Sequence, residues 1–343
     1  MKVLVTGGCG FVGTHTCEYY KKNGAKVVAY DNLTKFELRR TGYSTAGARF
    51  HNLDYLKSIK VDIAKEDIRD RKTLESYAKK ADFIIHTAAQ PAMTISWEEP
   101  ELDFSTNVVG TFNLLEIVRK YKIPMVSCAT IHIYGNDIND EVKEGKTRYL
   151  RRPIEIDEDH RLVDGILTPL HASKHTLDLY HRAYIDTYKL PLASFRLTGL
   201  YGSKQFGGED HGWVANFAIR SVMGYPLTIY GTGKQARDIL HATDLVRAFD
   251  AFYKKQKPGV YNIGGGRRTL ISLIECIRLI EDLLGKKVEI KYKPGRMGDL
   301  IYFACNTKKA QKQLKWQVKV LPKEGVSELI NWVKNNKNLF KIT

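Results

Sequence analysis

The chain has 343 residues, 43% of them hydrophobic, enough for one large domain or two intimately joined ones around a sizeable core. Its 54 Lys and Arg against 38 Asp and Glu leave a net charge of +16, which suits an anionic ligand; the basic residues are scattered without one aromatic-interleaved stripe, so they read as a solvated lysine-rich surface rather than a nucleic-acid face. No apolar run approaches the roughly 18 residues of a membrane span, the N-terminus reads as a strand and not a signal sequence, and five cysteines without CxxC spacing imply reduced thiols in a cytoplasmic protein with no metal site.

The first apolar run, Val3–Val5, leads directly into Thr6-Gly7-Gly8-Cys9-Gly10-Phe11-Val12-Gly13. A strand that ends in TGxxGxxG and opens a helix builds a pyrophosphate site: Gly7 for the tight turn, Gly10 for close approach of backbone amides, Gly13 for helix packing on the strand. The next helix, over 12–23, turns free N–H groups and a partial positive charge toward the anion. A second strand, Val27–Tyr30, ends in Asp31, about 20 residues on, where a carboxylate takes the adenosine ribose hydroxyls. The same carboxylate would repel a 2′-phosphate, so the cofactor expected is NAD rather than NADP.

Ile59–Ile63 is a weaker strand candidate, succeeded by a helix over 72–80 and a strand at Phe83–His86. Phe104, Val108, Phe112 and Leu115 recur at helical spacing within 101–121, before a strand at Met125–Ser127. A helix near 170–187 and a strand near 192–197 close the series. This alternation predicts an α/β fold, a doubly wound parallel sheet of Rossmann type over 1–198, with ligands at the carboxyl ends of its strands. From about 199 the pattern loosens into glycine-rich loops, with later helices near 243–254, 270–285 and 322–335. Residues 199–343 are expected to form mainly a smaller substrate lobe, interleaved with the sheet domain through a part of 235–265 that returns to it.

Across nearly the whole chain, from Met1 to about Val333, further ordered segments carry a resemblance. They are Asp31-Asn32-Leu33, Asp67-Ile68-Arg69, His86-Thr87-Ala88-Ala89-Gln90-Pro91-Ala92-Met93, Asn107-Val108-Val109-Gly110-Thr111 and Ile133-Tyr134-Gly135. The second half adds Gln205-Phe206, His211-Gly212-Trp213-Val214, Gly231-Thr232-Gly233-Lys234-Gln235-Ala236-Arg237-Asp238 and Asn262-Ile263-Gly264-Gly265. With the glycine turn, these segments resemble the extended short-chain dehydrogenase/reductases, the nucleotide-sugar epimerases and dehydratases. The resemblance implies a tightly bound, recycled NAD that temporarily oxidises a sugar hydroxyl. Cofactor contacts are then expected from Gly7, Gly10, Phe11, Val12, Gly13, Asp31, Asn32, Asp67, Ile68, Ala88, Ala89, Gln90 and Lys174. Substrate contacts are expected from Met93, Thr94, Gln205, Trp213, Val214, Tyr230, Arg237 and Arg296, with the two arginines on the diphosphate. The family also implies a homodimer through the helices near 101–121 and 170–187.

One departure is consequential. Proteins of this family take the proton with a Tyr in YxxxK; here Lys174 is present, and Thr130 matches the hydroxyl that bonds the reacting oxygen, but Leu170 stands four residues before the Lys. An aliphatic side chain can neither take nor give a proton. Three substitutes are open. His132 lies two residues beyond Thr130 and shares its face if the backbone is extended; His171 adjoins Leu170 but projects about 100° away on a helix; Lys174 could serve if burial lowers its pKa. The leading expectation is an epimerase acting through a keto sugar. A dehydrogenase or dehydratase that releases the keto sugar is the alternative within the class, and a catalytically silent NAD(H)-binding sensor the alternative outside it. A nucleic-acid-binding relative has only the charge behind it.

Overall fold

The structure is a computed structural model and describes residues 1–34, Leu38, Thr41, 45–163 and 165–342. In chain order, the first half runs β1 (Lys2–Thr6), α1 (Phe11–Lys22), β2 (Lys26–Tyr30), α2 (Thr45–Ser58), β3 (Asp62–Ala64), α3 (Arg71–Ala78), β4 (Phe83–His86), α4 (Met93–Glu98), α5 (Pro100–Asp103), α6 (Gly110–Tyr121) and β5 (Met125–Thr130). A hairpin of β6 (Val142–Glu144) and β7 (Tyr149–Arg151) precedes α7 (Pro169–Tyr188) and β8 (Leu192–Leu197). Next come β9 (Gly199–Tyr201), α8 (Trp213–Met223), β10 (Leu227–Tyr230), β11 (Ala236–His241), α9 (Ala242–Lys255) and β12 (Gly259–Ile263). The last elements are β13 (Leu270–Ser272), α10 (Leu273–Leu284), β14 (Ile290–Lys293), β15 (Tyr302–Phe303), α11 (Lys308–Leu314) and α12 (Pro322–Asn335).

Seven strands form one sheet in the order β12-β8-β5-β4-β1-β2-β3, and the paired strands all run parallel. Because successive side chains on a strand point to opposite faces, β1 feeds two cores at once. Val3 and Val5 join Cys17, Phe249 and Phe252 on one face, while Leu4 joins Leu74, Leu114 and Leu192 on the other. The chain winds outward from β1 through β2 to β3, then returns beside β1 at β4 and winds the other way. Strand ends diverge at that reversal, which opens a crevice at the carboxyl ends of β1 and β4.

The second half does not stay in its own layer. Strand β12 pairs with β8, and α9, Ala310, Leu314 and Trp316 pack into the same core as β1. What remains builds a smaller lobe: β11 is flanked by β9, β13 and β15, β10 pairs with β14, and α8, α10 and α12 share one core through Phe217, Ile277 and Leu329.

Several elements differ from the sequence reading. The weak strand at 59–63 is displaced to Asp62–Ala64, because α2, an unanticipated helix, runs to Ser58. The helix expected over 270–285 begins only at Leu273, since Leu270–Ser272 pairs with β11 and Ser272 caps the helix through Glu275. The segment 101–121 is three pieces, with a π-helical stretch over Phe104–Val109 between α5 and α6. Its apolar spacing marks a surface as well as a core: Leu115 is buried, whereas Phe104 and Phe112 are exposed.

A buried ion pair ties the site-bearing elements together. Arg196 of β8 meets Asp178 of α7 at 2.8 Å, with both side chains almost fully buried. The same guanidinium donates to the Tyr134 hydroxyl at 2.8 Å, which in turn donates to Asn262 Oδ1 of β12 at 2.7 Å. Removing one partner of such a pair strands the other charge away from water. Asp178→Ala should therefore lose roughly 3–5 kcal/mol of stability in urea unfolding; an unchanged midpoint would show that the pair is dispensable.

Candidate active site

The glycine turn is shaped by lack of room. Gly7 has φ +67°, and a Cβ there would lie 2.6 Å from the Ala88 nitrogen; at Gly13 it would lie 2.0 Å from the Gly7 carbonyl oxygen. The backbone of β1 can thus touch the segment after β4, and α1 can press onto the turn. Gly10 is the N-cap of α1 and brings no capping side chain, so the first amides of the helix face the crevice without a partner in the helix. Phe11, Val12 and Gly13 line it.

The crevice continues as one cleft of about 560 Å³ from the glycine turn to the lobe. At one end Asp31 accepts N–H bonds from Cys9 (2.9 Å) and Leu33 (2.8 Å), which fix its carboxylate beside Gly7 and Gly10. Asn32, Ile68, Ala88 and Ala89 line the same end. Gln90 lines the cleft too, but its side chain is spent on the protein: the amide donates to Ala92 O and Asp103 Oδ1, both at 3.0 Å, and its oxygen accepts from the Ala92 N–H. Asn107, from the π-helical stretch, accepts from the Gln90 N–H at 2.9 Å and donates to Asp103 at 3.0 Å, holding the loop after β4 in place.

In the middle of the cleft, Cys128, Thr130, His132, Leu170 and Lys174 come together from β5, the turn after it and α7. Lys174 Nζ donates to Cys128 O at 3.4 Å, and burial lowers its pKa, with Cys128 and Asp103 opposing. Leu170 is 6% exposed, and its backbone N–H donates to Ser96 Oγ. The backbone after Thr130 is not extended as the sequence reading supposed. It closes into a 3-10 turn over Ile131–Tyr134, capped by Thr130 Oγ1 accepting from the His132 N–H. His132 nonetheless reaches the cleft wall.

At the lobe end stand Met93, Gln205, Trp213, Tyr230, Arg237 and Arg296. Arg237 pairs with Asp299 at 2.8 Å, and Arg296 with Asp210 at 3.3 Å. The Arg296 guanidinium also lies 3.8 Å from the Tyr230 ring, whose hydroxyl donates to Glu209 at 2.8 Å. Gln205 Oε1, Trp213 Nε1, Asn216 Oδ1, Gln235 Oε1 and Arg237 Nε are buried without a hydrogen-bond partner among the described residues, and all five residues line the cleft. Two of these amides are held by the fold, Gln205 donating to Leu200 O and Gln235 to Tyr230 O.

Four expected site residues lie elsewhere. Asp67 is off the cleft lining, its carboxylate taken by Arg69 and by Asn32 at 2.9 Å; burial opposes its ionisation, but these partners prevail and hold it down to about 2. Val214 packs into the lobe core at 1% exposure, on the inner side of α8. Thr94 donates to Asp210 at 3.0 Å and steadies that carboxylate rather than lining the cleft. His171 closes a capping box, its Nδ1 accepting from the Thr168 N–H at 3.1 Å, which turns it behind the wall. Sequence reasoning in turn assigned no role to Asn216 and Gln235. Gln235 was legible in principle, because it lies two residues before Arg237, immediately ahead of β11, and lines the same cleft.

Residues 3–264 match the NAD dependent epimerase/dehydratase family. The chain is 33% identical to the CDP-paratose 2-epimerase of Salmonella typhi, over 97% of this chain and 99% of that one. Among solved structures it is similar to the UDP-glucose 4-epimerase of Thermus thermophilus in complex with NAD, with a TM-score of 0.78 and 30% identity over 97% of this chain and 98% of that one. It is likewise similar to the UDP-glucose 4-epimerase of Thermotoga maritima with UDP-glucose, with a TM-score of 0.81 and 27% identity over 98% of this chain and 100% of that one.

The fit of a dinucleotide here makes a prediction about Asp31. A hydrogen bond to a charged group contributes about 1.5–3 kcal/mol, or roughly 10- to 100-fold in affinity. Calorimetry should show Asp31→Ser weakening NAD by that factor and narrowing the preference over NADP. An unchanged preference would place cofactor discrimination elsewhere.

Proposed function

This chain belongs to the NAD dependent epimerase/dehydratase family, and on that premise we propose that it oxidises a ring hydroxyl of a nucleotide-diphosphate sugar through NAD and returns the keto sugar in epimerised form. NAD, when bound, accepts a hydride from the sugar carbon and gives it back. The protein's own part is to hold the two molecules edge to edge and exclude water between them. Gly7, Gly10, Phe11, Val12 and Gly13 would take the pyrophosphate on the N-terminus of α1, Asp31 and Asn32 the adenosine ribose, and Ile68, Ala88 and Ala89 the walls beside it. Lys174, fixed on Cys128 O, would hold the nicotinamide ribose. Thr130 can donate its hydroxyl proton to the reacting oxygen while its lone pair caps the adjoining turn.

The observation that carries the reading is the lobe end of the cleft, where Arg237 and Arg296 stand with Gln205, Trp213 and Tyr230 at the far end of the space that begins at the glycine turn. A diphosphate supplies acceptors for the two guanidinium groups. A protein that only sensed NAD(H) would have no use for this half of the cleft. Release of the keto sugar, as a dehydrogenase or dehydratase, uses the same residues and differs only in the step after oxidation.

Two further readings belong with this one. None of the five cysteines is in a disulfide, in keeping with a reducing compartment such as the cytoplasm. Phe112 of α6 and Tyr180 of α7, in edge contact at 6.0 Å, are exposed together with Val109, which precedes α6, and the three line one shallow apolar depression. Such a face supports a homodimer through these helices. Light scattering at micromolar concentration should give twice the chain mass, reduced to the single mass by Tyr180→Glu; a monomer for the unmodified protein would refute the pairing.

The function is tested with CDP-, UDP-, dTDP- and GDP-glucose in deuterated water, monitored by NMR. One of the four should be inverted at a ring carbon, and Arg237→Ala should lower kcat/KM about 100-fold. Release of a keto sugar would move the assignment to dehydrogenase or dehydratase. No turnover of any, with NAD bound in stoichiometric amount, would indicate the silent NAD(H)-binding protein.

A further inference from the structure

We propose that His132 is the proton acceptor of this site, taking the hydroxyl proton of the sugar that Leu170 cannot take. The inference rests on the function proposed above. Oxidation of a secondary alcohol breaks a C–H bond, whose electron pair goes to the nicotinamide, and an O–H bond, whose electron pair becomes the second bond of the ketone. The proton left over needs a neutral base with a free lone pair within reach of the reacting oxygen. In epimerisation the same proton returns when the ketone is reduced from its other face, so no outside oxidant or reductant enters.

Of the other ionisable groups around the sugar end of the cleft, burial pushes the Cys128 thiol up to about 12, and the rest are engaged with protein groups. Lys174 Nζ is tied to Cys128 O. Glu209 accepts from Tyr230, Asp210 accepts from Thr94 and pairs with Arg296, and Asp299 pairs with Arg237. His211 Nε2 is engaged by Phe206 O, away from β5. His132 differs: it lines the cleft and neither ring nitrogen has a hydrogen-bond partner among the described residues. Its backbone N–H donates to Thr130 Oγ1 at 3.3 Å, which ties the turn that carries the imidazole to the hydroxyl that would bond the reacting oxygen.

The ring is also held in place from behind. His171 lies against it with centroids 5.4 Å apart, and the bond from the Thr168 N–H to Nδ1 fixes the tautomer and orientation of His171. His171 is a positioning residue in this scheme, and does not itself face the cleft. Burial first, then the charge of Arg237 and the neighbouring His171, press the His132 pKa well below 6.5. The imidazole is therefore neutral and competent as an acceptor before substrate arrives. A diphosphate seated on Arg237 offsets that cation and raises the affinity of His132 for a proton at the moment the proton is released.

The test monitors reduction of protein-bound NAD at 340 nm in a single turnover, using whichever of CDP-, UDP-, dTDP- and GDP-glucose the unmodified protein oxidises. His132→Gln should bind NAD within about twofold of the unmodified protein yet form bound NADH about 100-fold or more slowly, the range of general-base loss, with the acidic limb of the pH profile gone. Adding Leu170→Tyr to His132→Gln should restore at least about tenfold of the rate, because a phenol at that position faces the same cleft; a purely structural role for His132 would not be rescued there. A His132→Gln rate within about threefold of the unmodified protein overturns the assignment, as does a slow variant that keeps the acidic limb. If the unmodified protein reduces no NAD with any of the four sugars, the functional reading fails first and the assignment falls with it.

Discussion

The site depends on backbone contact between two strands that the chain order separates. β1 and β4 are neighbours in the sheet but are parted by two helix-and-strand excursions, and their ends meet only because Gly7 has no side chain to keep Ala88 away. Gly13 allows α1 to close on the same turn, so its unbonded amides face the crevice that the winding reversal opens. Each consequence needs the one before it. Without the close approach there is no crevice floor, and without the floor the cofactor and sugar cannot share an edge.

The opposite wall is built from charge. Two arginines and two of the carboxylates that hold them line the lobe end, and the ion pairs keep the guanidinium groups oriented rather than waving in solvent. Between floor and wall lies a short stretch where β5 turns sharply after Thr130. The network from Asp178 through Arg196 and Tyr134 to Asn262 anchors that turn in the sheet. Stability and chemistry are therefore joined at Tyr134, two residues from His132.

Much of this was legible in the sequence, for physical reasons that can be named. The glycine turn and Asp31 could be read because the pyrophosphate site constrains residue type at fixed spacing. The strands of the sheet could be read because parallel strands are buried on both faces and give unbroken apolar runs. Helix α2 escaped because Phe50, Leu53 and Leu56 are diluted among Gly47, His51, Asn52 and Asp54, leaving a faint apolar stripe. The lobe strands escaped because β9, β13 and β15 are two or three residues long and owe their form to pairing with β11. Asp67 and Val214, expected from the resemblance, lie off the cleft lining because Arg69 and Asn32 take the one and the lobe core takes the other, whereas the turn of His171 away from the cleft follows the 100° step from Leu170 that the helix repeat gives. The 3-10 turn at His132 was missed because Ile131–Tyr134 has the composition of a strand, and tertiary bonds from Tyr134 decide its shape.

The central claim is that a ring carbon of a nucleotide sugar and the nicotinamide exchange hydrogen directly inside this cleft. Nucleotide sugars carrying deuterium on the ring carbons, mixed with the NAD-loaded protein and quenched within one turnover, test this by mass spectrometry of the recovered cofactor. The account predicts deuterium on the nicotinamide ring with at least one of the CDP, UDP, dTDP and GDP sugars. Recovery of unlabelled cofactor from all four, at full occupancy of NAD and sugar, would contradict it.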